Sequence, residues 1–182
     1  MTGQQPPGQP RQVVISLGSN LGDRLGNLQA AVDVLCGTGG LEDCTISPVY
    51  LTAPVGGPEQ DDYLNAVLTA TTTMQAGAVL ALCQQAEGAR GRVRAERWGP
   101  RTLDADVICY GGEVSSDPRL TLPHPRAHQR AFVLAPWHDI DPDAELPGHG
   151  PVSALLAATG TNGVRQLEGA ALRLPPRQRE RR

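Results

Sequence analysis

Two strand patterns that follow one another with no helix between them set the frame of this chain. The first, CTISPVYLT, runs from Cys44 to Thr52 and is interrupted by Pro48; the second, Tyr63 to Thr73, is rich in Val and Thr. Residues of that kind fit a pleated, half-buried surface. A proline inside such a run removes a ladder donor and confines the strand to an edge or a bulge. A doubly wound parallel sheet would need a helical crossover between consecutive strands, and none is written here.

The rest of the pattern fits around this pair. VVISL (Val13 to Leu17) is a short apolar strand ending at Gly18, and from Asp23 to Leu35 the residues Leu25, Leu28, Ala31, Val32 and Leu35 recur at helical spacing. Asp23 is placed to cap that helix or to complement its dipole. Ala76 to Glu87 is a second amphipathic stretch, with Val79, Leu80, Leu82 and Cys83 toward a core, and it stops near Gly88. A Gly/Arg loop leads to the strand LDADVICY, then come a helix around Ala127 to His138 and a weaker one at Val152 to Ala158. The order βαββαβ with trailing helices predicts an α+β fold: a ferredoxin-like sandwich with a mainly antiparallel sheet flanked by helices.

A chain of 182 residues, 40% hydrophobic and 19% charged, sustains one folded core. Residues 1–12 read as a disordered leader, 13–170 as a single domain and 171–182 as a disordered basic tail. Only 3% of residues are aromatic, so Leu, Val and Ala must build the interior. A formal net charge of -3 gives no global attraction to nucleic acid or to an acidic membrane; any anion site has to be local. All 16 basic side chains are arginine, and without lysine a Walker-type phosphate loop is closed as a route to ATP. The 4 cysteines have no C-x-x-C spacing and read as free thiols of a reducing compartment. No signal-peptide core follows the start, and no run approaches a membrane span. The expectation is a cytoplasmic protein, with nothing that demands more than a monomer.

The segment RGRVRAERWGPRTLDAD (90–106) carries the chemistry. Along a strand Asp104 and Asp106 point the same way, while Leu103, Ala105 and Val107 point into a core. Carboxylates about 7 Å apart, at two residues of strand rise, can share hard cations such as magnesium, which takes one or two carboxylates plus substrate phosphates. Arg90, Arg92, Arg94, Arg97 and Arg101 crowd the approach to that strand on a loop broken by Gly88, Gly91, Gly99 and Pro100. Guanidinium forks grip phosphate oxygens bidentately. The same residues also describe solvated strand aspartates beside a basic surface loop. Two other functions fit the pattern: a nucleotide- or RNA-binding module of the same fold, and a metal-dependent phosphodiesterase.

The run GRVR-x-x-RWGPRTLDAD, continuing into DV, resembles the signature of the 6-hydroxymethyl-7,8-dihydropterin pyrophosphokinase family. Four further stretches resemble that family in its order: SLGSNLGDRLGNL from Ser16, SPVYLTAPVGGPEQDDYLNAV, LTLPHPRAHQRAFVLAPW and DIDPD. The resemblance covers residues 13 to 150 and implies a folate-pathway enzyme that moves pyrophosphate from ATP to the hydroxymethyl group of the pterin, releasing AMP. It implies small-molecule substrates, no nucleic-acid partner and no membrane.

By the same resemblance Asp104 and Asp106 ligate two Mg2+ ions that bridge the ATP phosphates, and Arg92 and Arg101 stabilise the charge that develops in transfer. His124 and Arg130 match positions that contact the triphosphate; Gln84, Glu87, Arg119 and Thr121 match positions around ATP. Thr52, the backbone near Val55, Tyr63, Asn65 and Phe132 match the pterin pocket. Phe132 is the chain's only phenylalanine, suited to stacking a flat ring. Asn65 carries both donor and acceptor for a heterocycle edge. The LGSNLGD turn reads as structural.

Overall fold

The computed structural model describes residues 8–54, 59–89 and 100–176. Strand β1 (Arg11–Ser19) leads into helix α1 (Arg24–Gly37), and β2 (Glu42–Ile46), β3 (Tyr50–Thr52) and β4 (Tyr63–Thr72) follow without a helix between them. Helix α2 (Ala76–Ala89) then precedes β5 (Asp104–Tyr110). A small hairpin of β6 (Ser115–Asp117) and β7 (Leu120–Leu122) comes next, then a 3-10 turn at Ala127–Gln129, helix α3 (Ala131–Ile140), and the short pair β8 (Glu145–Leu146) and β9 (Gly150–Pro151). Helix α4 (Val152–Thr159) and β10 (Val164–Gln166) complete the order.

The main sheet runs β10-β3-β4-β1-β5, with β2 also paired to β4. All of its pairings are antiparallel. This is the ferredoxin-like sandwich that the alternation of patterns predicts. Pro48 splits the CTISPVYLT run into β2 and β3, and both halves remain partners of β4.

Alternation across the strands sorts the interior into two layers. Val13, Ile15 and Leu17 of β1 meet Leu28, Ala31, Val32 and Leu35 of α1 and Val79, Leu82 and Cys83 of α2. Val14, Val67 and Ile108 instead meet Val133, Leu134 and Trp137 of α3 and Val152 of α4. The α1 start has the expected cap: Asp23 Oδ1 accepts the Gly26 N–H at 3.0 Å.

Three boundaries differ from the sequence reading. Arg11 and Gln12, read as the end of a leader, belong to β1, where they pair with Thr72 and Thr71. Leu172 packs on the core and Arg173 exchanges two backbone hydrogen bonds with the Gln29 side chain, so the tail begins after them. The predicted helix from Ala127 to His138 is broken at Arg130, whose extended backbone (φ -108, ψ 97) separates the 3-10 turn from α3.

Candidate active site

Strand β1 is the spine of the site because its register fixes two neighbours at once. Gly18 stands opposite Asn65 on β4 and opposite Asp104 on β5, and Ser16 stands opposite Asp106. Residues directly opposed across strands share a face. Asn65, Gly18, Asp104, Ser16 and Asp106 therefore form one continuous patch on the α3 side of the sheet. Leu103, Ala105 and Val107 take the other face, buried in the first core layer. A Cβ at Gly18 would meet Asn65 Oδ1 at 3.1 Å, so glycine keeps the floor open between the amide and the aspartate.

A cavity of about 700 Å³ lies over this patch. Its floor is Ser16, Gly18, Asn65, Asp104 and Asp106; one side is Thr52, Ala53, Pro54, Gln60 and Tyr63. Arg101, Arg126, Gln129, Arg130 and Phe132 stand around it, and the turn from Thr159 to Val164 closes one end. At the Thr52 side, Asn65 Nδ2 donates to Thr52 Oγ1 at 2.7 Å, both residues being buried.

Opposite charges converge on the two aspartates. Arg101 Nη1 donates to Asp104 Oδ2 at 2.6 Å, and Arg130 Nη1 lies 3.8 Å from Asp106 Oδ2. The extended Arg130 that interrupts the helix is the residue that makes the second approach. Burial and the neighbouring Asp104 charge push the Asp106 carboxyl up to about 6, against the opposing pull of Arg130. Two guanidiniums match the formal charge of the pair, yet burial and Asp104 still push Asp106 up, and two hard oxygen donors in that setting fit a magnesium site. Among the described residues no group of three or more His, Cys, Asp or Glu side chains could hold a metal.

His124 enters beside the aspartate strand through a bulge. The β1–β5 register shifts between Val14 and Ile15, leaving Ile108 as the extra residue. The Ile108 carbonyl accepts the His124 backbone N–H at 2.7 Å. His124 Nδ1 accepts from the Arg126 N–H at 3.2 Å, which places the ring proton on Nε2. Burial and the Arg130 charge push the imidazole down to about 4, so the ring is a neutral N–H donor at neutral pH.

The structure gathers Thr52, Tyr63, Asn65, Arg101, Asp104, Asp106, Arg130 and Phe132 around one cavity. Gln84, Glu87, Arg119, Thr121 and His124 do not line it. Gln84 is exposed on α2, and Arg119 and Thr121 sit on the β6–β7 hairpin, where Arg119 pairs with Asp117 at 2.9 Å. Glu87 is buried, its Oε1 accepting the Ala105 N–H at 3.0 Å. It braces the strand from behind the cavity. Arg92, Val55 and the neighbouring Arg90, Arg94, Arg97 and Trp98 lie outside the described residues.

Sequence reasoning missed Ser16, Gly18, Asn20, Gln60, Arg126, Gln129 and the turn after α4. Asn20 is 1% exposed. Its Oδ1 accepts the Arg101 N–H at 2.8 Å and its N–H donates to the Arg101 carbonyl at 3.1 Å. The LGSNLGD turn is thus a clasp on the arginine that reaches Asp104. An asparagine three residues past Leu17, the strand's last apolar position, was the available signal, but only the long-range contact gives it meaning.

An antiparallel sandwich with two carboxylates on one strand, faced by guanidiniums and a neutral histidine, defines a class of protein equipped to manage phosphate charge. Residues 14–142 match the family model described as 7,8-dihydro-6-hydroxymethylpterin-pyrophosphokinase (HPPK), and the chain belongs to that family. It is 47% identical over 161 residues to the Mycobacterium tuberculosis 2-amino-4-hydroxy-6-hydroxymethyldihydropteridine pyrophosphokinase, covering 80% of this chain and 82% of that one. The Pseudomonas aeruginosa protein of the same name is 38% identical over 160 residues, covering 88% and 99%. Among solved structures, a Plasmodium falciparum HPPK-DHPS chain superimposes with a TM-score of 0.65 at 10% identity, over 91% of this chain and 48% of that one. The chain spans under half the length of that structure, and the likeness is one of fold.

Proposed function

We propose that this chain transfers a pyrophosphoryl group from ATP to the hydroxymethyl group of 6-hydroxymethyl-7,8-dihydropterin, giving the pterin diphosphate and AMP for folate biosynthesis. Membership of the family supports the reaction. The observation that carries the mechanism is that Asp104 and Asp106 share the cavity face of β5 with Asn65 in the same cross-strand patch. Phosphate and heterocycle sites are then adjacent on one floor.

Asp104 and Asp106 would hold magnesium, in our reading two ions, which when bound supply positive charge to the β- and γ-phosphates. Arg101 and Arg130 grip phosphate oxygens from the cavity rim, joined by Arg92 from the segment outside the described residues. His124 offers its Nε2–H to the triphosphate, and Gln84, Arg119 and Thr121 hold the remainder of the nucleotide. Glu87 fixes the strand between the aspartates. Asn65, steadied by Thr52, pairs with the heterocycle edge, while Tyr63, Phe132 and the backbone at Val55 enclose the ring. The acceptor oxygen forms a bond to the β-phosphorus, the bond from that phosphorus to the α,β-bridging oxygen breaks, and the hydroxyl proton passes to solvent. Positioning and charge stabilisation carry the rate, as in phosphoryl transfer generally.

We place this activity in a single domain, the 13–170 span extended by Arg11 and Gln12 of β1 and by Leu172 and Arg173, acting as a monomer in the cytoplasm. Cys36, Cys44, Cys83 and Cys109 are free thiols, which suits a reducing compartment. Among the described residues no helix is long and apolar enough to cross a membrane. The test is phosphorus NMR of the protein with magnesium and ATP, with and without the pterin. AMP that forms only with the acceptor supports the reading. ADP, orthophosphate or acceptor-independent AMP would contradict it.

A further inference from the structure

The matched family residues end at 142, yet the cavity is closed by a turn that follows α4. Thr159, Gly160, Asn162, Gly163 and Val164 line it together with the floor residues. Two tethers hold the turn in place from opposite sides. β10 zips onto β3, with Val164 opposite Thr52, and the Ala53 N–H donates to the Gly163 carbonyl at 3.4 Å. On the other side Thr159 Oγ1 donates to the His128 carbonyl at 3.5 Å.

The turn is itself well defined. The Val164 N–H donates to the Thr161 carbonyl at 3.0 Å, and Gly160 and Gly163 have φ of +73 and +74. Left-handed backbone at those two positions favours glycine, so the tip presents Thr161 and Asn162 between two residues without side chains. Asn162 is an exposed residue of the cavity lining, and its carboxamide carries both donors and an acceptor. The residues that follow it pair with Thr52 and Ala53, and it shares the cavity lining with Asn65 and Phe132. A phosphate chain gains little from a neutral amide when guanidiniums are at hand. A flat heterocycle with amino and oxo groups on one edge matches it.

We propose that Asn162 is a specificity-determining residue for the acceptor, reading a polar edge of the heterocycle from the turn while Asn65 reads it from the strand floor. This rests on the pyrophosphoryl-transfer reading and deepens it. The turn is an acceptor wall, tied to β3 so that Thr52, Ala53 and Asn162 keep fixed spacing.

The experiment compares the full-length chain with its Asn162→Ala variant in steady-state assays of AMP release, varying pterin and ATP separately. A second measurement titrates the fluorescence of the pterin acceptor without turnover. One neutral hydrogen bond lost at a ligand corresponds to roughly a five- to tenfold weakening. The expected result is that rise in acceptor KM and the same weakening in the titration, with ATP KM, kcat and melting temperature held within experimental scatter. Acceptor KM and titration both within twofold of the parent would overturn the proposal. So would acceptor and ATP KM rising together, which marks a general loosening of the fold. Absence of acceptor-dependent AMP in the unaltered chain would instead defeat the underlying reaction.

Discussion

The carboxylate of Glu87 on α2 accepts the backbone N–H of Ala105, the residue between the two aspartates of β5, at 3.0 Å. With 5% of its surface exposed, Glu87 holds the strand from the core side and so sets where Asp104 and Asp106 stand. Removing the acceptor leaves a buried N–H unsatisfied, which costs about 1–3 kcal/mol. Glu87→Ala should lose stability of that size in urea unfolding. It should also raise the magnesium concentration for half-maximal activity on the order of ten- to a hundredfold, as for other residues that orient metal ligands. Glu87→Gln keeps an acceptor and should retain most of both. An alanine variant as stable as the parent would contradict the bracing role.

Gly18 is the narrowest point of the floor. The Cβ of Gly18→Ala would stand 3.1 Å from Asn65 Oδ1, closer than ordinary van der Waals contact. Asn65 must give way, and its bond to Thr52 Oγ1 at 2.7 Å resists the movement. The variant should raise the acceptor KM roughly tenfold, the loss of about one hydrogen bond to the ligand, while ATP KM stays near its starting value. Equal changes in both constants would count against the placement of Asn65.

The fold was legible because its signals are local and mutually consistent: period-two runs at β1 and β4, helical spacing on α1 and α2, and Pro48 at the strand break. The D-x-D alternation on β5 was legible for the same reason. The outer edge of the site was not. Ser16 and Gly18 look like ordinary strand residues until register sets them beside Asp106 and Asp104. Arg130 seems to continue a helix until it is extended toward Asp106, and Asn162 lies in a turn 97 residues beyond Asn65 in the sequence. Glu87 carries no mark distinguishing a ligand contact from a brace; only its hydrogen bond to Ala105 does.

His124 should titrate far from an ordinary histidine. Burial and Arg130 push it down to about 4. The unfolded chain then binds a proton that the native chain refuses, so this group's contribution to stability is lost as pH falls from the usual histidine range toward 4. A proton NMR titration should give a midpoint near 4 and a neutral Nε2–H tautomer above it. A midpoint at the ordinary value would contradict the buried, cation-flanked setting.

Asp106 has the opposite sign. Its carboxyl is pushed up to about 6, from an ordinary 3.8, by burial and by Asp104. The native chain therefore holds the proton more tightly, and metal-free stability falls as pH rises through this window. At pH 7 to 8 Asp106→Asn removes that repulsion. Because 40% of the Asp106 side-chain surface is exposed, solvent screening reduces the gain. The metal-free variant should melt roughly 2–4 °C higher, the effect of about 1 kcal/mol in a domain of this size. A lower melting temperature would argue that the attraction of Arg130 outweighs burial and the Asp104 repulsion at Asp106.

In the proposed reaction Asp104 and Asp106 together manage the charge of the ATP phosphates. A rapid-quench, single-turnover measurement of AMP formation, with saturating magnesium, ATP and pterin, tests it in Asp104→Ala and Asp106→Ala variants whose circular dichroism matches the parent. The expected rate is lower by three orders of magnitude or more in each, about 4 kcal/mol of lost transition-state stabilisation. A rate within tenfold of the parent in either variant would contradict it.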